Sequence, residues 1–136
     1  MIELSNTNAQ VIPAGQSVIF DTVLLQIGCG ECHRPNSSAV NLTHKKAIYE
    51  VSFNANIGAT EPGDAQLAIT LNNAALPETT AKVVSAAAGD LQNVSASTFI
   101  ETCCCNIANT ILLTNTGTTE INVDVSSRLS VRRIMP

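Results

Sequence analysis

The feature that most restricts this chain is its period. Short runs of alternating apolar and polar residues, each closed by Gly, Pro or Asn, fill nearly all 136 positions. Successive side chains on an extended backbone point to opposite faces, so each run is a strand with one greasy face. The clearest is Ala65 to Leu71, where Ala65, Leu67, Ile69 and Leu71 share one face and Gln66, Ala68 and Thr70 the other. In Ala47 to Ile57, Tyr49, Val51, Phe53 and Ala55 oppose Glu50, Ser52, Asn54 and Asn56, which predicts a long half-buried strand. Towards the C-terminus Ile121, Val123 and Val125, then Leu129 and Val131, keep one phase and predict a last strand or strand pair.

The remaining runs complete the pattern. Asn8 to Ile12 reads as a short edge strand, so that residues 1–12 form an N-terminal arm or edge strand before the Pro13-Ala14-Gly15 turn. Ala39 to Thr43, Leu91 to Thr102 and Thr110 to Asn115 read as strands, with turns at Pro62-Gly63, Asn72-Asn73 and Asn115-Thr116-Gly117. Leu76 to Ser85 adds another strand; a short helix over Ala81 to Ala88, stopped by Gly89, is the alternative, and the Val83-Val84 pair favours extension. The whole chain reads as one all-β domain: a sandwich of about eight to ten antiparallel strands, jelly-roll or immunoglobulin-like.

Ser17 to Gln26 departs from alternation and is apolar almost throughout. Val18, Phe20 and Leu24 fall on one face and Ile19, Val23 and Leu25 on the other, and a strand greasy on both faces is buried on both. The expectation is a sandwich core on one side and a subunit contact on the other.

Composition narrows the function classes. Aromatic residues are 3% of the chain and Trp is absent, so the core is aliphatic and a large ring-lined ligand cavity is not expected. Net charge is −4, and basic residues pair up only at Lys45-Lys46 and Arg132-Arg133, which disfavours nucleic acid. No apolar stretch approaches the roughly 18 residues that span a bilayer. The start, Met1 to Asn6, lacks the basic and apolar regions of a signal peptide, so the expectation is an intracellular protein or one that leaves by lysis or inside a particle.

The residues that could carry chemistry are few. Five cysteines fall in two clusters, Cys29/Cys32 and Cys103-Cys104-Cys105. Cys29 to His33 matches C-x-x-C-H, the pattern of covalent haem attachment, but no aromatic lining is present to cover a macrocycle. Cys29 and Cys32 form half of a tetrahedral zinc site that His33 or the triplet could complete. Against this, the connections bearing the two clusters lie at opposite ends of many jelly rolls. Disulfides within a cluster, between subunits or between stacked assemblies are a further reading for all five, and an adjacent triplet needs at least one partner elsewhere. The remaining reading is that the thiols are small apolar fillers.

No catalytic constellation emerges. A Cys32–His33 dyad is disfavoured because adjacent residues on an extended backbone point apart, and His44 beside Lys45 and Lys46 reads as part of a solvated turn. Asp21, Glu50, Glu101 and Asp124 are isolated on polar strand faces, so no enzyme is expected and no catalytic residue is named. Asn36, Asn41 and Asn93 head N-glycosylation patterns that a chain rich in Asn, Ser and Thr produces by chance.

The order Pro13 to Phe20, Ile48 to Ile57, Asn109 to Asn115 and Ser127 to Ile134 resembles the tumour necrosis factor and complement type of jelly roll. Within it the chain is similar to the head domains of collagen-like exosporium glycoproteins and to small proteins of Firmicutes phages and prophages. Cys29 to Arg34 and the cysteine triplet are similar to features of that phage group. The resemblance implies a homotrimer whose sheet containing Tyr49, Val51 and Phe53 packs around a three-fold axis. Phe20, Tyr49, Val51 and Phe53 are then expected at the trimer interface or in the core. It further implies a non-catalytic structural or adhesive part of a phage particle: a capsid decoration, head fibre or tail tip, with other virion proteins and a host-surface glycan or protein as partners. A subunit of an exosporium or extracellular fibre, built of stacked trimers, and a metal- or ligand-binding module are the alternatives. Unlike the exosporium glycoproteins, the sequence carries no Gly-X-Y tract.

Overall fold

A computed structural model describes residues 1–28, 30–102 and 109–135. Thirteen strands are present among them: β1 (Ile2–Ser5), β2 (Gln10–Ile12), β3 (Thr22–Gln26), β4 (Glu31–His33), β5 (Val40–Leu42), β6 (Ile48–Ala59), β7 (Gly63–Leu71), β8 (Ala74–Ala75), β9 (Ala81–Ser85), β10 (Gln92–Glu101), β11 (Asn109–Thr114), β12 (Ile121–Val123) and β13 (Arg128–Met135). The excess over the eight to ten expected comes from two- and three-residue pieces.

The strands form two antiparallel sheets. In the first, β6 is the central beam, paired along one side with β10 from Ile48 to Ile57. Its other side is shared between β13 up to Asn54 and β12 from Ile57 to Ala59. Beyond β13 lie β1 and then β3, and beyond β12 lies β2. The second sheet runs β4-β5-β11-β7-β8, with β9 also on β7.

The inward residues of these strands make a single core. From the first sheet come Tyr49, Val51, Phe53, Ile57, Leu129 and Val131, and from the second Leu67, Ile69, Ile111 and Leu113. The aliphatic composition is packed here, and the alternation of β6 and β7 follows the sequence reading. Asn72 and Asn73 both adopt positive φ, at 52° and 68°, between the paired residues Leu71 and Ala74. Two consecutive left-handed residues make the primed hairpin turn whose twist matches that of its strands. At Gly58 a side-chain carbon would stand 1.9 Å from the carbonyl oxygen of Asp90, so the 85–90 loop can lie on β6 only because that position has no side chain.

Several expectations are corrected. Ile2–Ser5 is no arm: β1 lies inside the first sheet between β13 and β3, with Ile2 and Leu4 fully buried. Of residues 1–12 only Gln10–Ile12 forms an edge strand. Ser17 to Gln26 is not one strand. Val18 bonds to Leu113 on the second sheet and Phe20 to Ser37 in the β4–β5 loop, and the chain then crosses to the first sheet as β3. Leu24 therefore leaves the core that Val18 and Phe20 enter. Val125 also breaks phase, because the chain turns between Asp124 and Ser127 and leaves it exposed. Pro77–Thr79 is a short 3-10 turn ahead of β9, and Ala81–Ser85 is strand, not helix.

Candidate functional site

The four residues expected at an interface or in the core, Phe20, Tyr49, Val51 and Phe53, lie in the chain's own core, none more than 3% exposed. They offer no surface that a second copy could reach. Tyr49 also carries a polar duty: its hydroxyl donates to the carbonyl of Gly30 at 3.2 Å, and burial raises its pKa. The phenol thus fastens the β3–β4 connection to the core.

The surface available for contact is β3. It is the last strand of its sheet, pairing only with β1, and both of its faces are open: Val23 is 39%, Leu24 48% and Leu25 38% exposed, with Ile27 just beyond at 61%. The second sheet does not cover it. An edge strand of this kind normally carries charge, Pro or a bulge against unwanted pairing. Thr22-Val23-Leu24-Leu25-Gln26-Ile27 has neither charge nor Pro, and its one irregularity is the shift opposite Glu3 and Leu4.

Cys29 and Cys103-Cys104-Cys105 lie outside the described residues, as does any disulfide or metal set that includes them. The described residues beside them correct the expected topology. The carbonyl of Gly30 accepts from the Thr43 amide, and the amide of Thr102 donates to Ala47 while its hydroxyl donates to the His44 carbonyl. Gly30 and Thr102 therefore meet the same 43–47 turn, so the described residues next to the two clusters lie at one end of the sandwich, not at opposite ends. The His44 ring sits over Gly30, where a side-chain carbon would be 2.4 Å away, and is half-buried instead of solvated.

Cys32 is free and exposed on β4. The neighbouring His33 is occupied: one ring nitrogen is 3.0 Å from the Ala39 carbonyl and the other 3.0 Å from that of Phe20. With both nitrogens on backbone oxygens, the ring clamps the 34–39 loop to the strand leading into β3 and has no lone pair turned outward for a metal. Among the described residues no group of three His, Cys, Asp or Glu is placed to hold a metal ion. Beside Met1, Glu31 is a buried carboxylate, 2.9 Å from the Met1 ammonium. Asp21 accepts from the hydroxyls of Thr7 and Thr22, which hold its pKa below the usual carboxylate range. Among the described residues no helix is long and apolar enough to cross a membrane.

Sequence reasoning missed two buried amides that fix this scaffold. Asn115 donates to the carbonyls of Ile12 at 3.0 Å and Thr119 at 2.8 Å, and accepts from the Gly117 amide at 3.0 Å. Asn6 donates to Asn8 and Asp124 and accepts from Ser127. Both look like turn formers in sequence, and nothing local marks them as buried.

No family model matches the sequence, and no curated protein is similar to it. Among solved structures it is similar to the PRD1 vertex protein P5, with a TM-score of 0.55 and 14% identity over 98% of this chain and 95% of that one. It is also similar to a family 35 carbohydrate-binding module of Cellvibrio japonicus Abf62, at TM-score 0.45 and 14% identity over 96% of each chain. A family 35 module of Clostridium thermocellum follows, at 0.42 and 12% identity over 90% of this chain and 98% of that one. The fold is a jelly-roll β-sandwich. At these identities the likeness extends to fold alone.

Proposed function

We propose that this protein is a non-catalytic structural module of a phage particle: a tumour necrosis factor-like jelly roll that assembles as a homotrimer in a capsid decoration, head fibre or tail tip. The observation that carries this reading is β3, an uncharged strand with two open apolar faces overhanging the sandwich. Isolated apolar residues on a surface need no explanation, whereas a contiguous apolar strand marks a contact. A copy that docks there with a different surface of its own makes a head-to-tail contact, and such contacts give a ring where the rotation closes and a filament where it does not; the trimer is the closed case. The likeness to a phage vertex protein over almost the full length of both chains supports the setting. Other virion proteins and further trimers are its partners, and Cys32 is a free thiol available for a bond between them.

Mass spectrometry of purified virions, with electron microscopy of the purified protein, tests this. The expected result is the protein at stoichiometric abundance in the particle, and three-fold particles by imaging. A protein confined to the host cytosol, or monomeric at every concentration, overturns it.

A further inference from the structure

The outer face of the first sheet, on the side away from the core, carries a groove that remains uncovered when copies meet through β3, the contact on which this inference rests. Register places its residues in rows that cross the strands. One row is Glu3, Ser130, Ser52 and Ser97, on β1, β13, β6 and β10 in turn. On one side of it runs Arg132, Glu50 and Phe99, and on the other Arg128, Asn54 and Ser95. Cross-strand partners project to the same face. The short serines thus form a floor and the longer side chains form two walls. Over β1, β13 and β6 this surface holds a depression of about 310 Å³, lined by Glu3, Ser52, Phe53, Asn54, Arg128 and Ser130. With ~3.3 Å per residue along a strand and ~4.8 Å between strands, the walls stand roughly 13 Å apart and the floor is about 14 Å long.

The chemistry of this groove is specific. Its two guanidiniums are each paired, Arg128 with Glu3 at 3.2 Å and Arg132 with Glu50 at 2.9 Å, so the three rows together carry no net charge. Hydroxyls that both donate and accept line the floor, and Asn93 adds an amide joined to Asn54 and Asn56 at 2.8 and 3.0 Å. Phe99 is 64% exposed at the β10 end, the one aromatic ring in three rows otherwise built of Ser, Asn, Glu and Arg. A nucleic acid needs unpaired cations, and both guanidiniums of this groove are paired. A neutral polyhydroxy chain with rings of axial C–H groups matches both the hydroxyl floor and the single aromatic platform.

We infer that the groove binds a neutral oligosaccharide laid across β13, β6 and β10, with Ser130, Ser52 and Ser97 beneath it and Phe99 stacked on a sugar ring at the open edge. β3 lies at the opposite margin of this sheet from β10, so assembly through β3 leaves the Phe99 end open. The test is saturation-transfer NMR and calorimetry on the intact protein with cellohexaose, mannohexaose, chitohexaose and a heparin-derived hexasaccharide. A neutral hexasaccharide binds; Phe99→Ala weakens it about tenfold, the equivalent of about 1.4 kcal/mol; and Ser52→Trp, which fills the floor, abolishes it. Ser97→Trp on the edge strand repeats the blockade should Ser52→Trp fail to fold, and unchanged thermal melts confirm that the variants are intact. Binding of none of the neutral probes, binding of the anionic probe alone, or undiminished binding by the tryptophan variants overturns the inference. None of these results bears on trimer formation, which light scattering reads separately.

Discussion

The perturbation that speaks most directly to assembly is Leu24→Glu. In a single chain Val23, Leu24, Leu25 and Ile27 are 39%, 48%, 38% and 61% exposed, slightly less in total than two whole side chains. Fully burying one aliphatic side chain contributes about 1.5–3 kcal/mol. Covering β3 with a neighbouring copy therefore stabilises the assembly by ~3–5 kcal/mol per contact, before the cost of bringing the copies together. A carboxylate at position 24 removes part of that gain and adds an unpaired charge whose burial is unfavourable. Inside the single chain, by contrast, Leu24 is already 48% exposed on an edge strand, so the fold loses less than the assembly does. The expectation is a weakening of self-association by a factor of at least about a hundred, or ~2.7 kcal/mol, with a melting transition close to wild type once both are monomeric. Light scattering after size exclusion over a dilution series reads this: the wild type at three times 14.3 kDa, the variant at 14.3 kDa. Identical mass and dilution behaviour for both proteins would refute the argument that β3 is the contact.

Phe53→Ala opens a cavity in the middle of β6 and is expected to cost about 3–5 kcal/mol, read as a shift of the urea midpoint at constant slope; a loss below 1 kcal/mol sinks the core assignment. Asn115→Ala removes three bonds to backbone groups at roughly 1 kcal/mol each, so a loss of about 3 kcal/mol is expected, whereas a surface turn residue would give almost none. Gly58→Ala forces β6 and the 85–90 loop apart, and hydrogen exchange should show that loop opening first; unaltered protection would contradict the 1.9 Å approach. Asp21 has a lowered pKa in the folded chain because Thr7 and Thr22 donate to it, so its contribution to stability is present above the unfolded value of ~3.9 and is lost as pH falls through the lower folded value. An NMR titration of the Asp21 carboxyl with its midpoint at or above that unfolded value would contradict the hydrogen bonds to Thr7 and Thr22.

Much of the candidate surface was hidden for identifiable reasons. Ile2-Glu3-Leu4-Ser5 does alternate, but a four-residue run looks the same in a frayed terminus and in a central strand; what makes β1 central is that β13 and β3 reach it from far along the chain. Ser52, Ser97 and Ser130 each look like ordinary solvent-facing residues. They become one floor only when strands some thirty to eighty residues apart are laid in register. The expected separation of the two cysteine-bearing connections failed similarly, because Gly30 and Thr102 meet through the 43–47 turn.

Side-chain alternation is a local consequence of an extended backbone, so the period alone was enough to determine an all-β sandwich, the long β6 and the Asn72-Asn73 turn, and the absence of Trp already required an aliphatic core. Apolarity, by contrast, states only that a residue prefers to be covered, not what covers it. Folding sent Val18 and Phe20 inside and left Val23, Leu24 and Leu25 on an overhanging edge, although all five read alike in sequence. Which of them meets the core and which is left for a partner depends on where the chain crosses from one sheet to the other, and that is fixed by pairing with strands distant in sequence.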